Sequence, residues 1–180
     1  MQKIRHWLVA GPPFWLFLAL LPVLVVFCWN LALAGIELVG WIAPDLTVSS
    51  TTRNYALELK TAQVHDIALR SFVLTPLREE FVFRVLPFGA LWLSWAFLYK
   101  KQPPLSLALA LVLVTSIVFG YIHGGFGNIF IQGFIGAVIA LVFLLWGTYG
   151  RTPLRGMLAI VLLHGSYNFY VAMQVQQLIA

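Results

Sequence analysis

The sequence predicts an all-α membrane protein, a polytopic bundle of about five transmembrane helices with one amphipathic segment. Hydrophobic residues make up 61% of its 180 residues and charged residues only 9%, whereas a soluble domain carries about 25% charged residues. The apolar residues fall into long runs, most of them close to the ~20 residues that cross a bilayer. Polar or Gly/Pro-rich breaks separate these runs. We therefore predict an integral membrane protein with a single membrane-embedded domain over residues 1–180.

The first apolar run covers Phe14–Ile42 and allows two interpretations. It is either one tilted helix kinked at Pro22, or a span followed by a short interfacial helix after Gly35. Glu37, near the end of the run, favours the second interpretation. Residues 44–63 form the most polar stretch of the chain. We expect them to form an extramembrane loop that leads into an amphipathic helix.

Four more spans are predicted in the remainder of the chain. A second span starts at a Glu-Glu motif and runs to residue 99, with a possible kink at Pro87. Turns rich in Lys, Gly, Pro or Arg then separate three further spans, at residues 105–123, 128–146 and 156–180. The motifs described below all lie within a core of about residues 66–176.

The distribution of basic residues bears on partners and orientation. The formal net charge is +5, but no basic stripe alternates with aromatic residues, so nucleic acid is not a predicted partner. The cations lie at segment ends, where they contact anionic lipids and set topology. The N-terminus, the turn at 100–104 and the turn at 151–155 carry cations, whereas the turn at 124–127 has none. This pattern predicts an inside N-terminus and an outside C-terminus; the cations at residues 53–78 argue against it.

Residues 79–84 read Glu-Glu-Phe-Val-Phe-Arg and place charges next to a long apolar run. A charge at bilayer depth costs about 2.5–3.5 kcal/mol on insertion scales, so such residues are usually functional. Glu80 and Arg84 stand at i,i+4 with the acid first, the favourable order for an ion pair. Glu79 points about 100° away and has no evident partner in its own helix. It is therefore left available, unless both acids simply mark a solvated helix start.

Two histidines lie within or at the end of apolar runs. His123 follows Phe119 by four residues, so the two rings share a helix face. His164 precedes Asn168 by four residues, which again places two polar groups on one face. A histidine inside a membrane span often only pairs with a neighbouring helix. Each histidine motif, taken alone, can therefore indicate either a contact between helices or a functional site.

Antiparallel spans would bring these polar groups to one end of the bundle. Glu79 at the start of the second span and His123 at the end of the third lie on the same bilayer side, and the fifth span returns His164 and Asn168 towards it. A carboxylate with an imidazole can activate water, and an imidazole with a carboxamide can bind an oxyanion. Alternatively, Glu79, His123 and His164 could hold a divalent metal such as zinc. The residue types alone leave both options open.

The three motifs resemble those of the CAAX-protease and bacteriocin-processing (CPBP) family of intramembrane proteases. Residues 79–84 match its EExxxR motif, 119–123 its FxxxH motif and 164–168 its HxxxN motif, in the family's order. The resemblance implies that Glu79 and His123 activate the attacking water and that His164 and Asn168 form an oxyanion hole. It also implies a structural ion pair between Glu80 and Arg84. A glutamate-type mechanism without metal fits the family better, and a divalent metal such as zinc remains the open alternative.

We therefore predict an intramembrane endopeptidase that cleaves a membrane-associated peptide or protein. The resemblance suggests a bacterial or archaeal relative in the cell membrane. One alternative is a non-catalytic binding or immunity protein on the same scaffold, although a pure binder has little reason to keep an unpaired Glu79. Another is a haem-bearing electron carrier with His123 and His164 as ligands, which also leaves Glu79 unexplained.

Overall fold

The computed structural model describes residues 12–43, 68–148 and 152–179. All regular secondary structure in these ranges is helical, and five helices are long and apolar enough to cross a membrane. The predicted class, an all-α multi-pass membrane bundle, is confirmed. The N-terminal cations and the predicted amphipathic segment lie outside the described residues. So does the centre of the turn before the last span.

The first span is a single helix, α1, that runs from Phe14 to Ile42 with Pro22 inside it. The alternative of a separate interfacial helix after Gly35 was wrong. Gly35 does not end the helix; its missing side chain lets α1 approach the backbone carbonyl of Phe130, which a Cβ atom would strike. Glu37 is exposed on the outer face and so does not interrupt the helix.

The second span is a composite helix that begins earlier than predicted. It consists of a first π-helical segment (Ala68–Leu74), α2 (Thr75–Glu80), a second π-helical segment (Phe81–Val85) and α3 (Leu86–Tyr99). The part apolar enough to cross a membrane is Leu69–Tyr99. Glu79 therefore lies within this span rather than at its start, because the apolar residues before the motif continue the same helix.

Each π-helical segment in the second span is followed closely by a proline. Pro76 stands in the first turn of α2 and Pro87 in the first turn of α3. Proline has no N–H and its ring clashes with the carbonyl four residues earlier, so the preceding turn cannot keep regular α-helical bonding. In the second segment, the Leu86 N–H bonds instead to the Phe81 carbonyl five residues back. Wider turns of this kind are frequent at functional sites.

Three further spans complete the bundle. α4 covers Leu105–Ile122, and a tight glycine-containing turn leads into a short 3-10 helix at Phe126–Ile129. α5 (Gln132–Phe143) continues into a third π-helical segment, Leu144–Thr148, and α6 covers Pro153–Ile179. These limits agree closely with the predicted third, fourth and fifth spans.

The buried core lies mainly between α1, α5 and α6. Its fully buried side chains include Phe17, Cys28, Ile135, Ile139 and Ile160. α3, by contrast, buries only Phe88 and exposes most of its apolar side chains. Exposure of this kind suits a helix that faces lipid, since a bilayer solvates apolar groups.

α4 and the second span run antiparallel from the turn at residues 100–104, and this arrangement sets the level of the site. Glu79 lies about 20 residues before Tyr99 and His123 about 18 residues after Leu105. At 1.5 Å per residue the two positions stand about 30 and 27 Å from the turn. They are therefore level with each other, although the second span continues past them.

Candidate active site

The Glu79 carboxylate lies between two imidazole rings. Its Oε1 atom is 3.5 Å from Nε2 of His123, and its Oε2 atom is 3.7 Å from Nε2 of His164. Each carboxylate oxygen thus faces the same nitrogen of a different histidine. Both distances are long for a direct hydrogen bond, which leaves the Glu79 oxygens with capacity to bind a further polar group.

The orientation of His123 is set by the end of its own helix. His123 caps α4, and its Nδ1 atom lies 2.7 Å from the Phe119 carbonyl oxygen. A carbonyl oxygen can only accept, so Nδ1 carries the hydrogen and donates it. Nε2 is then the nitrogen that faces Glu79. The Phe119 ring also stacks on the imidazole, with the centroids 4.1 Å apart, which limits rotation of the ring.

The pKa of His123 reflects two opposing effects. Burial lowers this pKa, because a desolvated imidazole resists carrying charge. The negatively charged Glu79 carboxylate nearby and the hydrogen bond to the Phe119 carbonyl outweigh burial and raise the pKa overall. Glu79 therefore favours a proton on the His123 ring.

His164 is held from the opposite side by Glu80. Its Nδ1 atom lies 2.7 Å from Oε1 of Glu80, which accepts this hydrogen bond, and the same oxygen faces Nη1 of Arg84. Nε2 of His164 is left facing Glu79. Both histidines therefore use Nδ1 for anchoring and present Nε2 to one carboxylate. Nothing in the sequence pattern indicated the bond between His164 and Glu80.

Beneath these groups lies a buried ion pair. The Nη1 atom of Arg84 is 3.4 Å from Oε1 of Glu80, and its Nη2 atom donates to the carbonyl of Gly136 at 3.0 Å. The guanidinium also lies over the Phe119 ring, 4.4 Å from the centroid. A Cβ at Gly136 would come within 2.7 Å of Nη2, so a larger residue there would force the guanidinium to shift from its present position.

Exposure separates the groups that can meet a substrate from those that support them. The side chains of Glu80 and Arg84 are 0% exposed, and that of His164 is 6% exposed. Glu79 and His123 are 19% and 22% exposed. The two partly exposed side chains are the pair that the resemblance assigns to water activation.

Asn168 stands apart from this network. Its Nδ2 atom donates to the backbone carbonyl of Ser71 at 3.3 Å, in the first π-helical segment. The amide nitrogen carries two hydrogens, so this bond uses only one of them. α6 approaches that segment closely, because Gly165 has no side chain to strike the Phe72 carbonyl.

Sequence reasoning missed two polar groups that support the site. The Ser71 carbonyl orients Asn168, and the buried side chain of Asn128 donates to the His123 carbonyl at 2.7 Å. The first is a backbone atom and leaves no signal in the sequence. Asn128 could have been noticed as a polar residue after a glycine turn, next to a histidine motif.

The metal-ligand alternative needs Glu79, His123 and His164 as joint ligands of one ion. Among residues 12–43, 68–148 and 152–179, no group of three or more His, Cys, Asp or Glu side chains is arranged to hold a metal ion. Two of the nitrogens that could serve as ligands, Nδ1 of His123 and Nδ1 of His164, are already engaged.

A comparison with family models identifies the kind of protein to which this site belongs. The family described as Type II CAAX prenyl endopeptidase Rce1-like matches residues 63–170, which is more than half of the chain. The chain belongs to this Rce1-like family. The match contains all three motifs, and the resemblance inferred from them is confirmed. No curated protein and no solved structure matches the chain.

Membership of the Rce1-like family implies a protease, and the five apolar helices make it an integral, multi-pass membrane protein. Together these findings indicate endopeptidase activity within the membrane and a membrane-associated substrate.

Proposed function

We propose that this Rce1-like protein hydrolyses a peptide bond of a membrane-associated polypeptide with a water molecule activated by Glu79 and His123. The observation that carries the proposal is the position of the Glu79 carboxylate between two Nε2 atoms, at 3.5 and 3.7 Å. Glu79 and His123 are also the more exposed members of the network. A water molecule bound between them can approach a substrate carbonyl.

The proposed reaction needs no covalent enzyme intermediate. Glu79 takes a proton from the water, whose oxygen attacks the carbonyl carbon and forms a tetrahedral intermediate. His123 holds the same water through Nε2 and keeps its orientation because Nδ1 is bonded to Phe119. When the intermediate collapses, the C–N bond breaks and the proton passes to the leaving nitrogen. One water is consumed, and an acid and an amine are released.

His164 and Asn168 are the proposed donors to the oxyanion. His164 is nearly buried and anchored by the bond from Nδ1 to Glu80. Because a neutral imidazole has only one N–H, the proposed donation from Nε2 to the oxyanion requires a ring that carries protons on both nitrogens. Asn168 uses one amide hydrogen for Ser71 and keeps the second for the substrate oxygen. Donors that are oriented before the reaction stabilise developing charge most effectively. Glu80 and Arg84 support this arrangement from below and do not contact the substrate.

The decisive experiment is cleavage of a membrane-anchored peptide library by purified protein in detergent. Wild type and Glu79→Gln are compared, each with and without a chelator. Glu79→Gln preserves the shape of the side chain and removes the base, so we expect cleavage to be lost while the melting temperature stays unchanged. The matched control is Glu37→Gln, because Glu37 is an exposed carboxylate on α1.

Each outcome has a distinct meaning. Cleavage that is lost in Glu79→Gln and survives the chelator supports the glutamate mechanism. Cleavage that is lost with the chelator and restored by zinc contradicts it and favours a metalloprotease. Full activity in Glu79→Gln would show that a group other than Glu79 acts as the base. A wild type that binds peptides from the library without cleaving them would favour the non-catalytic binding protein.

A further inference from the structure

Asn128 is a buried polar residue to which the proposed reaction gives no role. It lies in the 3-10 helix that follows α4 and is 5% exposed. Its Nδ2 atom donates to the His123 backbone carbonyl at 2.7 Å. A buried amide is costly unless it is hydrogen-bonded, so this contact fixes the side chain of Asn128 against the end of α4.

The contact matters because His123 is the residue that caps the C-terminal end of α4. The last four carbonyls of a helix have no partner within it and must find other donors. The His123 ring donates to the first of them, Phe119, and the backbone N–H of His123 bonds to Gly120. The N–H groups of Gly124 and Gly125 bond to Tyr121. The catalytic ring is thus itself part of the helix cap, and its position depends on the cap geometry.

Asn128 completes that cap. The turn between His123 and Asn128 contains two glycines in positive-φ conformations, Gly124 at 149° and Gly125 at 82°, which adds conformational freedom to this stretch. The bond from Asn128 to the His123 carbonyl closes the turn. On the other side, the Asn128 backbone lies against Gly120, where a Cβ would meet the Asn128 carbonyl oxygen at 2.6 Å.

We propose that Asn128 is a positioning residue that holds the His123 imidazole at Glu79 through the His123 carbonyl. The proposal rests on the function proposed above for His123. Without the Asn128 donor the His123 peptide can rotate, the ring can leave the Phe119 carbonyl, and Nε2 loses its fixed distance from Glu79. Asn128 itself touches neither the substrate nor the reacting atoms.

The test uses Asn128→Ala, which removes the donor, and Asn128→Asp, which keeps the shape but replaces the donor with an acceptor. Ser116→Ala is the matched control, since Ser116 is also buried and donates to a backbone carbonyl of α4, that of Val112, at 2.6 Å. Cleavage is measured on the library peptide that wild type cleaves fastest. Both Asn128 variants are expected to lower kcat by about tenfold with KM unchanged, which corresponds to about one lost hydrogen bond.

Two further readouts distinguish positioning from a general loss of stability. Asn128→Ala is combined with His123→Ala, and we expect no further loss of the residual rate, because Asn128 acts only through His123. The rate at which diethylpyrocarbonate modifies His123 is followed by mass spectrometry in wild type, Asn128→Ala and Ser116→Ala. We expect faster modification only in Asn128→Ala. This second measurement needs no substrate.

The outcomes separate this proposal from the proposed function. If wild type cleaves nothing, the function is in doubt, and the modification rate alone decides the role of Asn128. The proposal is overturned if kcat stays within twofold of wild type, or if the rate falls equally in the His123→Ala background. It is also overturned if His123 reactivity is unchanged. Failure of both Asn128 variants to fold would show a purely structural residue.

Discussion

Removal of the Arg84 side chain tests the buried support of the site. Arg84→Ala leaves the fully buried Glu80 carboxylate without its cation and removes the hydrogen bond that Arg84 donates to the Gly136 carbonyl. Removing one partner of a buried ion pair costs about 3–5 kcal/mol. Glu80 keeps the hydrogen bond from His164, so we expect a cost near the lower end, about 3 kcal/mol.

This loss is large enough to measure by thermal unfolding in detergent. For a chain of this size, each kcal/mol shifts the melting temperature by about 2–4 °C, so we expect a fall of about 10 °C for Arg84→Ala. Arg78→Ala is the control, because Arg78 lies on the same composite helix and is exposed. Its effect should stay within about 0.5 kcal/mol.

A double variant checks the cause of the loss. Arg84→Met combined with Glu80→Gln removes both charges and keeps an oxygen that accepts from His164. Because no buried carboxylate is then stranded, much of the lost stability should return. The reasoning is refuted if Arg84→Ala melts no lower than Arg78→Ala, or if the double variant melts below Arg84→Ala.

Two further predictions concern the histidine and the contact between the second and fifth spans. The raised pKa of His123 depends on Glu79, so we expect this pKa to fall in Glu79→Gln. NMR titration of labelled histidine measures it. An unchanged pKa would mean that the two side chains do not interact. Gly165→Ala places a Cβ against the Phe72 carbonyl and should lower stability by about 1–3 kcal/mol. Gly89→Ala, with nothing within 4 Å of the new Cβ, should not destabilise; equal melting temperatures for the two glycine variants would contradict the close packing.

Much of the fold could be predicted, because hydrophobicity alone determines which segments cross a bilayer. The antiparallel course of the second and third spans also brings Glu79 level with His123. The second span starts earlier than predicted, because the helix continues through Arg70 and Pro76, which interrupt the apolar residues before the Glu-Glu motif. Pro87 indicated a disturbance in the second span, but a proline can produce a kink or a wider turn, and the sequence does not show which of the two forms.

The candidate site could be predicted where both partners share one helix, and less well where they do not. Glu80 and Arg84 stand at i,i+4, a spacing that brings side chains together whatever surrounds them. The bond from His164 to Glu80 depends on how α6 is rotated against the second span. Gly165 allows the two helices to approach closely at a backbone carbonyl, but spacing within one helix does not show which of its faces meets the other helix. The contact between Asn168 and Ser71 depends on the same rotation.

The unequal lengths of the helices also affect where a substrate could be cut. From their shared turn, α4 rises about 27 Å and the second span about 46 Å. The reacting groups lie where α4, the shorter helix, ends, while the second span continues beyond them on one side. The site is therefore open on the side where α4 ends. We expect a polypeptide to bind on this open side, with its scissile bond close to a membrane surface rather than at the bilayer midplane.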